Sequence, residues 1–443
     1  MSKRLSVEQI TAMLDDARAS TMAFLDGLSD EGLMGPKLAI VNPILWEIGH
    51  VVWFQDHFIL RQTDGRLALR PEADALYDSA HVAHDDRWDL PLPALDWIKA
   101  YSADVRAALL ARLSTPVASE ADSYLYRLVT FHEDMHAEAF AYSRQTLGLP
   151  QVFGLPHDVS GLRGERCIEA SGACPGDVAI PGGFFQLGAS QNATFVFDNE
   201  KWAHSQTVAP FRIARAPVTN SAFADFVAAG GYRDRAYWSD EGWAWVLASG
   251  AQGPAYWQGS PGDWRLKWYG QLVDLQPNHP VMFVNWHEAT AYCAFVGRRL
   301  PSELEWEVAA VGERGDDGML GLGKRLQPWG GVRVDTASSG FANLDGSAGG
   351  PVDVGAFAAG DSAFGCRQMM GNVWEWTSSD FKPYPGFSPD IYKDYSQPWF
   401  GGRKVLRGGC WTTRSRLVTP VYRNFFPPDR RDIFAGFRTC AIG

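Results

Sequence analysis

The sequence of 443 residues changes character near Pro150. Before that point apolar residues recur every three to four positions, the spacing that places them on one face of an α-helix. After it glycine, proline and tryptophan become dense, and turn dipeptides such as Gly230-Gly231 and Gly408-Gly409 recur at irregular intervals. The sequence therefore predicts a helical bundle followed by a loop-rich domain with short strands. No fixed repeat period emerges, so a solenoid or propeller is not expected.

Residues 1–150 predict four amphipathic helices. Ser6 and Gln9 have the spacing of a capping box, and Pro43 can occupy the first turn of a helix, where its missing N–H costs nothing. The first predicted helix follows Ser6, and the second covers residues 44–62. The third carries apolar Leu95, Ile98, Tyr101, Val105 and Leu109, and the fourth covers about residues 122–147, before Gly148. Helices of this length favour an up-and-down bundle, whose interior is a usual place for a metal. In the second half only residues 220–229 and 287–297 predict helices.

Composition excludes some partners. The 40 basic and 51 acidic side chains give a formal charge of -11, which disfavours nucleic acid. No signal peptide and no membrane-spanning run is recognised, so the expected location is cytoplasmic and no membrane partner is expected. The six cysteines form no CxxC pair, which favours reduced thiols.

The segment FHEDMHAEAF contains the His-Glu-x-x-His string at His132 and His136. Residues four apart lie on one helix face, so these imidazoles can converge on one ion. Two hydrogen-bonded core histidines are the alternative, but the pair at ligand spacing on an apolar face favours a metal. A zinc protease is disfavoured, because Ala139 and Tyr142 occupy the positions where the longer metzincin string has glycine and a third histidine.

A third imidazole is available in GHVVWF, where His50 lies among aromatic residues. His57, seven residues on, is the rival, and we expect it to be structural. Three imidazoles without a carboxylate form a neutral ligand set that suits Zn(II), Fe(II) or Cu, and spacing does not choose among them.

The chain resembles the ergothioneine-type sulfoxide synthases, including the related selenoneine synthases, over nearly its whole length. The first part resembles a DinB-type four-helix bundle through GHVVWF and the string HxxxHxE. The second part resembles the formylglycine-generating-enzyme (C-type-lectin-like) domain through HPVMFVNWHEATAYCAFVGRRLPSELEWEVAA, GNVWEWTSSDF, VLRGGCW and GFR. The resemblance implies an α+β protein, with a bundle at 1–150, a linker at 151–175 and a lectin-like domain at 176–443.

The resemblance also implies an activity. Fe(II) is expected on His50, His132 and His136, with hercynine (trimethylated histidine), O2 and a thiol or selenosugar donor as substrates. The product would carry a carbon–sulfur or carbon–selenium bond at C2 of the imidazole. Tyr384, in the FKPYPGF loop, is the expected proton donor. Asn424 in YRNFF is expected to hold the hercynine carboxylate, with Arg423 and Phe425 beside it.

The chain departs from the family pattern at the donor site. Phe426 stands where some members have an aspartate that meets the amino group of glutamylcysteine, and Met135 stands where they have glutamine. Arg87, in the bundle loop, is a candidate for a donor carboxylate, and a solvated loop arginine is the other interpretation. A cysteine-type thiol and a selenosugar therefore both remain open as donors.

Two further alternatives remain. A formylglycine-generating oxidase needs a cysteine pair after RGG, but Cys410 is followed by no other cysteine until Cys440. A non-catalytic lectin-like binding module would leave the histidines as core residues. The sequence does not indicate an oligomeric state.

Overall fold

A computed structural model describes residues 3–152, 171–331 and 340–443. These residues form two compact units. The N-terminal unit contains residues 3–152 together with 192–195 and 390–395, and the C-terminal unit contains the remaining described residues. Most of the predicted linker, residues 153–170, lies outside the described residues, so its boundaries stay a prediction.

The N-terminal unit is helical, as the periodicity predicts. Ser6 caps the first helix and forms the expected capping box with Gln9. Ser119 caps the last helix, which ends at Gly148 in the left-handed conformation (φ 68°) that glycine adopts without strain. The helices are α1 (Val7–Ala23), α2 (Asp30–Met34), α3 (Ile44–Gln55), α4 (Ala73–Tyr77), α5 (Leu95–Arg112) and α6 (Glu120–Leu147).

The second predicted helix differs from expectation in its last turns. After α3 the chain continues as a π-helical segment, Asp56–Arg61, instead of a regular α-helix to residue 62. Every residue of α3 is buried. Widened turns of this kind are frequent at functional sites.

The C-terminal unit is built from short strands in several small sheets. The strands are β1 (Asp177–Ile180), β2 (Gly183–Leu187), β3 (His204–Val208), β4 (Phe211–Ala214), β5 (Trp257–Ser260), β6 (Asp263–Trp268), β7 (Gln271–Asp274), β8 (Arg298–Arg299), β9 (Gly312–Arg314), β10 (Leu320–Lys324), β11 (Trp374–Asp380), β12 (Lys404–Arg407), β13 (Asn424–Phe426), β14 (Ala435–Gly436) and β15 (Cys440–Ala441).

The two largest sheets of the described residues have the strand orders β1-β4-β15-β8 and β13-β12-β11-β14. Within these two sheets only β11 and β14 pair in parallel. The smaller sheets are β2-β3, β5-β6-β7 and β9-β10.

Helices of the C-terminal unit include two that the sequence reasoning missed. The predicted pair is present as α7 (Asn220–Ala228) and α9 (Trp286–Phe295), and α8 (Asp240–Ser249) and α10 (Glu303–Val311) accompany them. Ser302 and Glu305 form a capping box at the start of α10, a signal that the sequence does contain. None of the helices in the described residues has the length and apolar character needed to cross a bilayer.

Candidate metal centre

Three histidines of the N-terminal unit converge. α3 contributes His50, and α6 contributes His132 and His136 from successive turns. One ring nitrogen from each lies within 4.8 Å of the other two. His50 and His132 are each 3% exposed, so this is a cluster in the bundle interior and not a surface patch.

The protons of two rings point away from the cluster. His50 donates from Nδ1 to the Tyr77 carbonyl at 2.8 Å, and His136 donates from Nδ1 to Glu47 Oε1 at 2.6 Å. Each ring then keeps the lone pair on Nε2, because a neutral imidazole carries one proton. Among the described residues, Nδ1 of buried His132 has no hydrogen-bond partner. Three imidazoles with lone pairs to offer and an unsatisfied buried nitrogen fit a bound metal ion.

The surroundings also keep two of the rings, those of His50 and His132, neutral. Burial lowers the pKa of His50 well below its usual value, and neighbouring His136 and Arg87 lower it further. Burial and the other two histidines lower the pKa of His132 in the same direction. A metal binds the neutral form of imidazole, so these shifts favour metal binding.

Glu133, the glutamate of the His-Glu-x-x-His string, faces a different partner. Its buried carboxylate accepts hydrogen bonds from Arg18 Nε at 2.7 Å and from Gln55 Nε2 at 2.8 Å. A metalloprotease needs this glutamate free to act as general base on the metal-bound water. The ion pair with Arg18 therefore argues against a protease.

Aromatic rings cover the imidazoles. Trp46 stacks on His50 with ring centroids 5.1 Å apart, and Phe54 stacks on His132 at 3.6 Å. Tyr392 meets His132 edge-on at 5.9 Å. The rival His57 is outside the converging set and contacts Trp53, with ring centroids 4.7 Å apart and the ring planes tilted by 34°.

Two tyrosines near the histidines were not found from the sequence. Tyr392 belongs to the segment 390–395 of the N-terminal unit, and Tyr395 donates from its hydroxyl to Met135 Sδ at 3.8 Å. Tyr124 of α6 donates to Asp390 at 2.7 Å, which anchors the segment to the bundle. The only sequence signal was the aromatic string DIYKDYS, which carries no spacing that links it to α6.

Tyr384, the tyrosine expected to be catalytic, lies in the core of the C-terminal unit. The Arg423 guanidinium carbon is 4.0 Å from its ring centroid. Its buried hydroxyl has no hydrogen-bond partner among the residues described, and burial raises its pKa well above the usual value. Its catalytic role stays a prediction.

The predicted substrate-binding residues of the C-terminal unit lie on or beside β13. Buried Arg423 donates to both carboxylate oxygens of Glu303, so its guanidinium is engaged within the protein. Asn424 accepts the Phe425 N–H, and Phe425 stacks on Phe381 at 4.0 Å. The Phe426 ring lies 5.5 Å from the Arg430 guanidinium carbon. Substrate roles for these four residues also stay predictions.

Arg87 is half-buried, and one of its nitrogens has no acceptor among the described residues. Its guanidinium lies 3.8 Å from the Trp46 ring centroid and donates to Asn42 Oδ1 at 2.6 Å. Its Nε is buried without an acceptor among described residues, and burial lowers its pKa to about 10. Whether it meets a donor carboxylate stays a prediction.

Comparison with known proteins gives the family. Residues 13–140 match the DinB superfamily, and residues 165–441 match the sulfatase-modifying factor enzyme 1-like domain. The chain is 37% identical over 445 residues to a hercynine oxygenase of Mycobacterium tuberculosis, covering 98% of each chain. It is 36% identical over 442 residues to a hercynine oxygenase of Mycolicibacterium thermoresistibile, covering 97% of this chain and 94% of that protein.

The similarity to formylglycine-generating enzymes is narrower. The enzyme of Thermomonospora curvata is 33% identical over 305 residues, covering 93% of that protein but only 60% of this chain. The α+β fold class, with a DinB-type helical part before a formylglycine-generating-enzyme-like part, is confirmed. Matches over both parts together show that the chain belongs to the ergothioneine-type sulfoxide synthase family.

Proposed function

We propose that the protein is an O2-dependent non-heme iron synthase that joins sulfur or selenium to the imidazole C2 of hercynine. The observation that carries the proposal is the cluster of buried His50 and His132 with partly buried His136, which supplies three imidazole ligands and no carboxylate. Such a set leaves positions open for substrates on the metal. The names of the near full-length relatives, hercynine oxygenases, support hercynine as the substrate.

Fe(II) held by the three histidines would supply the electrons that O2 needs and a common point at which the reactants meet. The chain's own residues have other tasks. Glu47 and the Tyr77 carbonyl hold the ring protons of two ligands outward. Trp46 and Phe54 cover ring faces and keep water away from them.

Tyr392 is the candidate for delivering a proton, because its ring meets the ring of His132. A tyrosine hydroxyl can donate to a reduced oxygen species, and a proton donor must be within reach of the reacting atoms. Tyr384 is the competing candidate from the sequence. The two assignments predict different effects of Tyr392→Phe and Tyr384→Phe on turnover.

We infer the class of the sulfur or selenium donor from the two positions where this chain lacks the charged and amide side chains of the family. Phe426 carries no charge for the amino group of a glutamylcysteine, and Met135 offers a thioether where an amide is expected. Free cysteine or a selenosugar therefore suits this chain better than glutamylcysteine. The selenosugar would make the product a selenoneine.

The test is a donor competition. Fe(II)-loaded protein receives hercynine, O2 and an equimolar mixture of cysteine, glutamylcysteine and selenoglucose, and the product masses are read. A sulfoxide conjugate of hercynine identifies a sulfur synthase and its donor, whereas a selenium isotope pattern on hercynine identifies a selenoneine synthase. Absence of any hercynine adduct from protein with stoichiometric iron would reject the proposal and favour the binding-module alternative.

A further inference from the structure

Glu47 is a buried carboxylate that contacts one of the three histidines. It lies one turn before His50 on α3 and is 2% exposed. Its Oε1 accepts the Nδ1 proton of His136 at 2.6 Å. An unpaired buried carboxylate is costly, so this one should be compensated by further donors.

The compensation comes from Asn42, just before α3, which is itself hydrogen-bonded to Arg87. Asn42 donates from Nδ2 to Glu47 Oε2 at 3.4 Å, and its Oδ1 accepts from Arg87 Nη1 at 2.6 Å. A continuous polar chain therefore runs from Arg87 through Asn42 and Glu47 to His136.

Arg87 is also linked to His50, through the ring of Trp46. Its guanidinium covers one side of Trp46 at 3.8 Å, and Trp46 is nearly parallel to His50, with 8° between the ring planes. The Trp46 indole donates to the Leu76 carbonyl at 2.6 Å, next to Tyr77, whose carbonyl accepts from His50. One guanidinium thus contacts a group next to each of two ligand rings: Asn42, which is bonded to Glu47 behind His136, and Trp46, which stacks on His50.

We infer that Glu47 and Arg87 are positioning residues of the metal centre. Glu47 fixes the tautomer and rotation of His136, and Arg87 anchors both Glu47, through Asn42, and the Trp46 ring that backs His50. A carboxylate behind a ligating imidazole raises its basicity, and loss of such a partner typically costs 10–100-fold in metal affinity. The inference rests on the proposed metal site but not on the identity of the substrates.

The experiment measures metal affinity and not turnover. Apoprotein of the wild type and of Glu47→Gln is titrated with Fe(II) anaerobically and with Co(II) against a competing chelator, and the absorption spectrum of the Co(II) form is recorded. Glu47→Gln keeps the shape of the side chain but removes its charge. We expect its Kd to rise about 10–100-fold and the Co(II) spectrum to shift.

A second variant and a matched control separate positioning from stability. Arg87→Met keeps an apolar side chain on Trp46 but breaks the polar chain, so we expect a smaller rise in Kd, about 3–10-fold. Glu133→Gln changes another buried glutamate of the bundle, next to His132 but bonded to Arg18 and Gln55. It should lower the apoprotein melting temperature and leave the metal Kd unchanged.

The outcomes distinguish the inference from the proposed function. Wild-type protein that binds no metal would reject the site on which both rest. Stoichiometric binding by the wild type, with the same Kd and Co(II) spectrum in Glu47→Gln, would overturn only the positioning role. Equal losses of affinity in Glu47→Gln and Glu133→Gln would also overturn it, because general loosening of the bundle would then explain both.

Discussion

The ion pairs of the C-terminal unit and the histidine cluster of the N-terminal unit bury polar groups in different ways. In the C-terminal unit buried charges neutralise one another: Arg438 donates to both oxygens of Glu375 at 2.6 Å, and Arg407 donates to Glu303 and Glu307. In the N-terminal unit three imidazoles face one another without a counter-charge among the ligand atoms. The first arrangement pairs opposite charges within the protein, whereas the second brings together three lone pairs that one ion can share.

This difference separates structural from functional polar groups. The ion pair of Arg438 with Glu375 joins β11 to the segment between β14 and β15, and both side chains are buried. Convergent groups whose pKa values are shifted by burial and by one another mark a functional site. The predictions below test whether each unit behaves as its buried groups indicate.

The largest effect is expected at the histidine cluster. His132→Ala should abolish stoichiometric iron binding and reduce turnover by more than about 1000-fold, because two ligands do not hold the ion in place. Iron content after anaerobic loading and gel filtration measures this. His57→Ala, a histidine outside the converging set, should retain iron. Full iron content and activity in His132→Ala would reject the ligand assignment.

Breaking a buried ion pair should affect stability and not metal binding. Arg438→Met leaves the Glu375 carboxylate buried without its main partner, at an expected cost of about 3–5 kcal/mol in the free energy of unfolding. Urea denaturation followed by tryptophan fluorescence measures the loss. The double variant Arg438→Met, Glu375→Leu should recover much of it. A single variant as stable as the wild type would contradict the structural role of the pair.

The two tyrosines give a contrast between the units. Tyr392→Phe should bind hercynine normally but lose about 100-fold or more in turnover, the scale of general acid catalysis. Tyr384→Phe should keep most of its turnover, because its ring lies in the core of the C-terminal unit. Single-turnover kinetics and hercynine binding on matched Fe(II)-loaded proteins measure both. Loss of turnover in Tyr384→Phe alone would support the sequence-based assignment.

The smallest effect concerns Glu200, a buried acid of the C-terminal unit. Burial raises its pKa to about 8, although Arg407 and Arg423 oppose the shift. The unfolded state releases this proton near pH 4.5, so the contribution to stability is full below that pH and is lost as pH rises to about 8. Glu200→Gln should flatten this slope and so gain stability relative to wild type as pH rises from 5 to 8. The same pH dependence of the free energy of unfolding in Glu200→Gln and wild type would contradict this prediction.

Local sequence signals accounted for much of the fold. The Ser6 capping box and Gly148 bound α1 and α6 as predicted, because caps act within a single turn. α8 and α10 were missed, since short tryptophan-bearing helices between loops show little periodicity. Their serine caps at Ser239 and Ser302 could have identified them.

The sequence by itself determined which histidines to consider. The spacing of His132 and His136, and the apolar surroundings of His50, follow from helix geometry that is the same in any protein. Only the tertiary structure decided the rest. It joined Glu47 to His136 across 89 residues and Tyr395 to Met135 across 260, and it paired Glu133 with Arg18. Contacts over such separations depend on how the helices pack and on how a distant segment is anchored to the bundle, and the spacing of residues along the chain does not encode either.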